Sequence, residues 1–339
     1  MNWRSTCRFP ITKVGEWQVS KTGAAQPSAL GLAAVQEAIA KWHPLSSVLI
    51  SSPHSTQLLP PLCVEEISAQ AHTKFLFRSR LSIQFLLLCA SICALAGQAN
   101  DASDGWQFAA LLIGLSAFLM SDYATVLRKI DATKERALFA NWVRTTSRPD
   151  LIFWGCTMLG AGATQFGCES WLGGAAPYLH QFGTTFRGLE QGEYWRLLTG
   201  PFIHHDLVHW ASNSCLTVLV GIISAKISRP VSALTFLTGS AAGAITTWLV
   251  GDPLFTSYVG VSAGTLAMLG FCAGTAWRHP ELFPKSFAFT LVSFGVMNVF
   301  VSWIYSQDAA NEAHVIGIVI GLLAGYLTRP NRKFSIEQQ

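Results

Sequence analysis

The chain has 339 residues; half are apolar and 12% are charged, against roughly 25% charged in ordinary soluble proteins. That deficit argues against a solvated globular enzyme and for a polytopic membrane domain. The net charge of +4 is scattered as short basic clusters between apolar runs, so no coherent nucleic-acid face forms and no nucleic-acid partner is expected. Of the eight cysteines, Cys89, Cys93, Cys156, Cys215 and Cys272 lie within apolar runs and none forms a Cys-x-x-Cys pair, so neither a disulfide framework nor a zinc cluster is expected.

Residues 1–80 are polar and rich in Ser, Thr, Pro and Ala, with no run long enough to cross a bilayer. Leu32, Val35, Ile39 and Trp42 fall near helical spacing and predict one short amphipathic helix ended by Pro44. A secretory signal would need a basic start followed directly by an apolar stretch, and an organellar transit peptide a stronger Arg-rich amphipathic pattern. The favoured reading is a cytoplasmic, partly disordered arm.

From residue 81 onward, apolar runs alternate with short polar loops. Eight spans are expected: Leu81–Gly97, Trp106–Leu127, Leu151–Leu172, Phe202–Ala225, Val231–Val250, Tyr258–Trp277, Pro284–Tyr305 and Ala309–Leu327. Each is near the ~20 residues that a helix needs to cross the hydrocarbon; the first is short and the second contains Asp122. Every second loop is basic. Lys74, Arg78 and Arg80 precede the first span, Arg128 to Arg148 follow the second, and Lys226, Arg229, Arg278, Lys285, Arg329, Arg332 and Lys333 mark later ones. The intervening loops carry Asp101, Asp104, Asp252, Asp308 and Glu312. The positive-inside rule then places both termini in the cytoplasm and requires an even number of spans. One long loop, Gly173 to Gly200, faces outside; its Tyr194 and Trp195 suit an interfacial position.

Polar side chains inside spans cost free energy, so each is a functional candidate. Three clusters stand out, all toward the outer helix ends. In the first, His209 and Asn213 are four residues apart and share a helix face, and both can donate hydrogen bonds. His205 and Asp206 read as polar residues of a helix start near water. His204, His205 and His209 cannot all share one helix face, so no metal site is expected. The second cluster is Tyr258-Val259-Gly260-Val261-Ser262-Ala263-Gly264. Alone the Gly-x-Ser-x-Gly string is weak, because its flanks are membrane spans and not the strand and helix of a hydrolase elbow. Gly260 and Gly264 can also serve close helix approach. In the third, Gly317, Gly321 and Gly325 form a stripe, with His314 one turn earlier on the same face. If that stripe packs on the Gly260/Gly264 face, His314 comes near Ser262, and a Ser within reach of a His is an activated nucleophile.

In their order and spacing these residues resemble the rhomboid family of intramembrane serine proteases. The resemblance rests on Glu193-Tyr194-Trp195-Arg196, on His204, His209 and Asn213, on Gly260-Val261-Ser262, and on Ala313-His314 with Gly317 and Gly321. It covers about residues 150–327. It implies an all-α polytopic membrane fold with a six-helix rhomboid-like core at 150–327; the two extra N-terminal transmembrane helices expected at 81–127, the arm at 1–80 and the basic cytoplasmic tail at 328–339 lie outside the resemblance. It further implies Ser262 as nucleophile, His314 as general base without a third carboxylate, and His209 and Asn213 as oxyanion donors beside the Ser262 N–H. Gly260, His204, Trp195 and Arg196 would be supporting residues. Neither metal nor cofactor is implied.

The substrates implied are transmembrane proteins that enter from the lipid bilayer between the second and fifth core helices. Phe287, Phe289, Phe294, Phe300 and Trp303 on the fifth suit such a gate as well as they suit a lipid-facing surface. The membrane expected is the bacterial plasma (inner) membrane; the sequence sets no oligomeric state. Two departures bear on this reading. Ala263 stands where the family usually has Gly, which would tighten the substrate cavity. Ala225 and Lys226 stand where the family often has a Glu, which affects local helix packing. The alternatives are a catalytically inactive relative acting as a membrane chaperone or trafficking factor, and an unrelated transporter; the latter is disfavoured by the lack of self-similar halves.

Overall fold

A computed structural model describes residues 9–10, 15–21, 29–42, 48–99, 103–305 and 310–330. The chain divides into two compact units: the described residues up to Thr146 together with Glu281–Ser286, and Ser147–Pro280 together with 287–330.

In the first unit, β1 (Phe9–Pro10) pairs with the later β5 (Gln57–Leu58). β2 (Gln18–Lys21) is the central strand of an antiparallel sheet between β3 (Ala29–Leu30) and β4 (Val48–Ser51). Helix α1 (Leu32–Lys41) buries Val35 and Ile39 in a small core with Val19, Ile50, Val64 and Ile67. Trp42, at its C-cap, is buried as well. The helix agrees with the spacing of its apolar residues; Pro44 lies outside the described residues. The sheet and its core are a finding that the polar composition did not predict.

Helix α2 (Glu65–Ala99) is longer than the expected first span and starts sixteen residues earlier, its first turn carrying Glu65 and Glu66, which favour a helix N-terminus. It packs along α3 (Ser103–Asp122), and α4 (Ile130–Thr146) follows. Asp122 ends α3, and both its carboxylate oxygens accept from Arg136 Nη1 of α4, at 2.9 and 2.8 Å. The apolar helix runs on past Asp122 through Leu127, so the charge lies inside the span and is matched there by Arg136. The segment Glu281–Ser286 also belongs to this unit: Phe283 packs against Phe139, and the Lys285 N–H donates to Glu135 at 2.9 Å.

The second unit is a bundle around one central helix. In chain order it holds α5 (Arg148–Leu172), α6 (Ala175–Phe182), β6 (Thr184–Thr185), α7 (Phe186–Glu190), α8 (Arg196–Thr199), α9 (Leu207–Val250), β7 (Ser257–Tyr258), α10 (Ser262–Arg278), α11 (Phe287–Tyr305) and α12 (Asn311–Leu327). Helix α9 is broken at Ser228, whose φ of −163° and ψ of 110° are extended. Pro230 then falls in the first turn of the second limb, where a missing N–H costs nothing. Its two limbs, 207–227 and 229–250, are the two separate spans that the hydropathy predicts. Helix α10 is buried from Ala263 to Ala276 and packs chiefly on α12 and α9. Trp154, Met158, Val220, Phe236, Leu266 and Met268 form the main core around it. The chain is an all-α polytopic membrane protein.

The glycine stripe of α12 does lie on α10, with a different partner face from the one expected. Gly317 lies on the Ala263 backbone, where an added Cβ would stand 3.0 Å from the Ala263 carbonyl carbon, and Gly321 lies on Ala267 and Phe271. Gly270 and Gly274 of α10 in turn receive the backbone of α12 at Ile318 and Leu322. Gly264 faces away, onto Phe236 and Ser240 of α9, and Gly260 faces His209. The α10 helix uses two small-residue faces for two neighbours; the Gly260/Gly264 pair is not the one that meets α12.

Candidate active site

The long loop, residues 173–200, is folded around Arg196, which is buried. Its Nη1 donates to the carbonyls of His180, Gln181 and Gly183 at 3.1, 3.1 and 2.8 Å, satisfying acceptors at the end of α6 that have no helical partner. Its Nε donates to Glu193 at 2.6 Å, and its guanidinium lies 4.6 Å from the Trp195 ring. Glu193, Trp195 and Arg196 therefore act as one knot, with Trp195 half exposed. Beyond it, β6 pairs with β7 through Thr184 opposite Tyr258 and Thr185 opposite Ser257. This pairing ties the loop to the segment that leads into Ser262.

That segment turns sharply. Gly260 has φ +96°, a conformation open to glycine, and its N–H donates to the Ile203 carbonyl at 2.7 Å. A Cβ there would stand 3.0 Å from His209 Nε2 and 3.5 Å from Asn213 Nδ2. His209 and Asn213 thus press directly on the turn. Val261 caps α10, and Ser262 is its first residue, so the Ser262 N–H has no partner within the helix and the positive helix end lies at this serine. The packing of Gly317 on Ala263 brings α12 close, and His314 Nε2 lies 2.8 Å from Ser262 Oγ. His314 Nδ1 is buried without a partner. Among the described residues no carboxylate is bonded to it.

His209 sits on the first turn of α9. Asp206 caps that turn, its carboxylate accepting from the His209 N–H at 2.8 Å. That bond holds the Asp206 carboxyl below its ordinary range. The His209 ring stacks on His205 at 6.0 Å and meets the edge of His204 at 5.1 Å. Asn213 is buried, and its side-chain nitrogen has no partner. His204 is buried too, with Nδ1 donating to the Phe202 carbonyl at 3.0 Å. Its backbone is clamped by Gln165 of α5: the His204 N–H donates to Gln165 Oε1 at 2.9 Å, and Gln165 Nε2 donates to the His204 carbonyl at 2.6 Å.

Residues 191–331 match the family profile described as Rhomboid domain. The rhomboid protease GlpG of Haemophilus influenzae is 26% identical over 152 residues, which cover 44% of this chain and 77% of that protein. Over that segment the chain is similar to the rhomboid family.

That family includes intramembrane proteases, and in this chain Ser262, His314, His209, Asn213 and Gly260 lie together at one end of the bundle. His204, Trp195 and Arg196 stand one layer back, holding the segments around that group. Two residues escaped the sequence reading. Gln165 was a polar residue inside an expected span, and the rule that such residues need a purpose could have flagged it. Gly243 looked like any other small residue. The structure puts it against Ala263, whose Cβ would be 2.6 Å from one on Gly243. Ala263 therefore fills the contact with α9 and α12. The replacement for the family's Glu is likewise specific: Lys226 pairs with Asp150 of α5 at 2.8 Å.

Proposed function

We propose that this protein is a rhomboid and an active intramembrane serine endopeptidase that cleaves membrane-anchored proteins with a Ser262–His314 dyad. The observation that carries the reading is the 2.8 Å approach of His314 Nε2 to Ser262 Oγ, at a helix N-terminus beside two further hydrogen-bond donors. Ser262 Oγ attacks the scissile carbonyl carbon as its proton passes to His314 Nε2. The resulting oxyanion lies within reach of the Ser262 N–H, His209 and the unpartnered Asn213 amide, fixed donors of the kind that stabilise such a charge. Collapse breaks the C–N bond, and His314 returns the proton to the leaving amine. Water then attacks the acyl-enzyme and loses its proton to His314; as the ester bond breaks, Ser262 regains a proton.

Transmembrane helices are the substrates, reaching the site from the bilayer past α11, whose Phe289, Phe300 and Trp303 point outward while Phe294 packs on the core. The loop charges favour both termini in the cytoplasm, in a plasma membrane, with α2 and α3 as the extra pair of spans. Purified wild-type protein treated with a fluorophosphonate is expected to label, and Ser262→Ala and His314→Ala to abolish both labelling and cleavage while remaining folded. Undiminished turnover by either folded variant would sink the dyad. A folded wild type that neither labels nor cleaves would favour the inactive chaperone or trafficking relative.

A further inference from the structure

Tyr258 opens the cluster that holds Ser262, four residues before it, yet it has no part in the dyad chemistry. The β6–β7 pairing fixes it on one side and the Gly260 N–H bond to Ile203 on the other, so its side chain turns inward and is 4% exposed. The ring lies in a cluster with Ala244, Ala263 and Ala313. The hydroxyl stands 3.1 Å from where a Cβ on Gly243 would be. It lies beside Ala263, the residue after Ser262; the Ser262 side chain and the Ala263 backbone are polar groups that act on it, and among the described residues it completes no hydrogen bond of ordinary geometry. A phenylalanine would fill the same cage without leaving a buried O–H unmade, so the oxygen calls for an explanation of its own.

We infer that Tyr258 is a positioning residue of the proposed dyad: its O–H donates to Ser262 Oγ during turnover and holds the rotamer that aims Ser262 at His314. The inference rests on the serine-protease reading above. Ser262 gives its own proton to His314 Nε2, which leaves two lone pairs on Oγ to accept. Tyrosine is a neutral donor at physiological pH, and hydrogen bonds of this kind are commonly loose in the free enzyme and tighten in the transition state. As the proton leaves Ser262, charge grows on Oγ and the bond from Tyr258 strengthens.

The test is Tyr258→Phe, which removes one oxygen and keeps the ring. Wild type, Tyr258→Phe and Ser262→Ala are reconstituted in liposomes and assayed on a fluorescent transmembrane segment, with fluorophosphonate labelling rates and thermal unfolding alongside. Tyr258→Phe is expected to lower kcat and the labelling rate together by about 10-fold, the scale of one hydrogen bond to a charged group. KM is expected to stay unchanged, and the unfolding midpoint to be equal to or above that of wild type. Unchanged kcat would overturn the inference. So would a loss of activity matched by a lower unfolding midpoint, the signature of packing, or a change in KM with normal labelling. A wild type inert in both assays would overturn the protease reading and this inference with it, whereas active wild type and equally active Tyr258→Phe would overturn the inference alone.

Discussion

Asn213 lies one turn beyond His209 on α9, and its buried side-chain nitrogen meets the Gly260 turn with no partner of its own. A donor left open in this way is unfavourable in the resting protein and useful only if charge develops beside it. Asn213→Ala is therefore expected to lower kcat by at most about 10²–10³, because His209 and the Ser262 N–H remain. A stopped assay on a transmembrane substrate checks this; complete loss of a folded variant's activity would place Asn213 in a larger role than one oxyanion donor. At this scale the serine and histidine were legible in the sequence. Ser262 stands at a small-residue helix start and His314 sits one turn from a glycine stripe, and both patterns survive in one dimension. The Tyr258 hydroxyl and the Gln165 clamp were not, since each depends on a partner far away in the chain: His204 lies 39 residues from Gln165.

Between helices, close approach is decided by pairs of positions. On α10 the Ala263 methyl points into the seam with α9 and α12, and Gly243 provides the space it needs. A Cβ on Gly243 would fall 2.6 Å from that of Ala263 and 3.2 Å from that of Ala313. Gly243→Ala is expected to destabilise the bundle by about 1–3 kcal/mol, the usual cost of overpacking. Adding Ala263→Gly should recover most of that loss, measured as unfolding midpoints of the four combinations in one detergent. Independent, additive losses would show that the two positions do not compensate each other. The sequence made the stripe of α12 visible by its four-residue period and misassigned its partner. Periodicity states which face of a helix is small; it carries no information on which neighbour lies there, and α10 has small residues on two faces.

At the scale of the whole chain, eight apolar runs and the alternation of basic loops made the membrane architecture readable. The sheet of β2, β3 and β4 was not, because strands of two to four residues leave no alternation long enough to detect. Long-range charge pairing was equally hidden, and in the bundle it joins the start of the first core helix to the break between the next two. Asp150, in the first turn of α5, is buried and pairs with Lys226 at 2.8 Å and with Arg229 Nε at 2.9 Å. Lys226 is itself largely buried while Arg229 is half exposed, so the Lys226 pair dominates: charges out of water are tolerated only when matched. Asp150→Asn, which strands the Lys226 ammonium, is expected to lower the unfolding free energy by about 3 kcal/mol or more. Replacing both partners with apolar residues, Asp150→Leu with Lys226→Met, should restore most of it, since the desolvation penalty disappears with the charges. Equal destabilisation by the single and the double variant would mean that the pair is held in place by packing around it and that its charges contribute nothing separable.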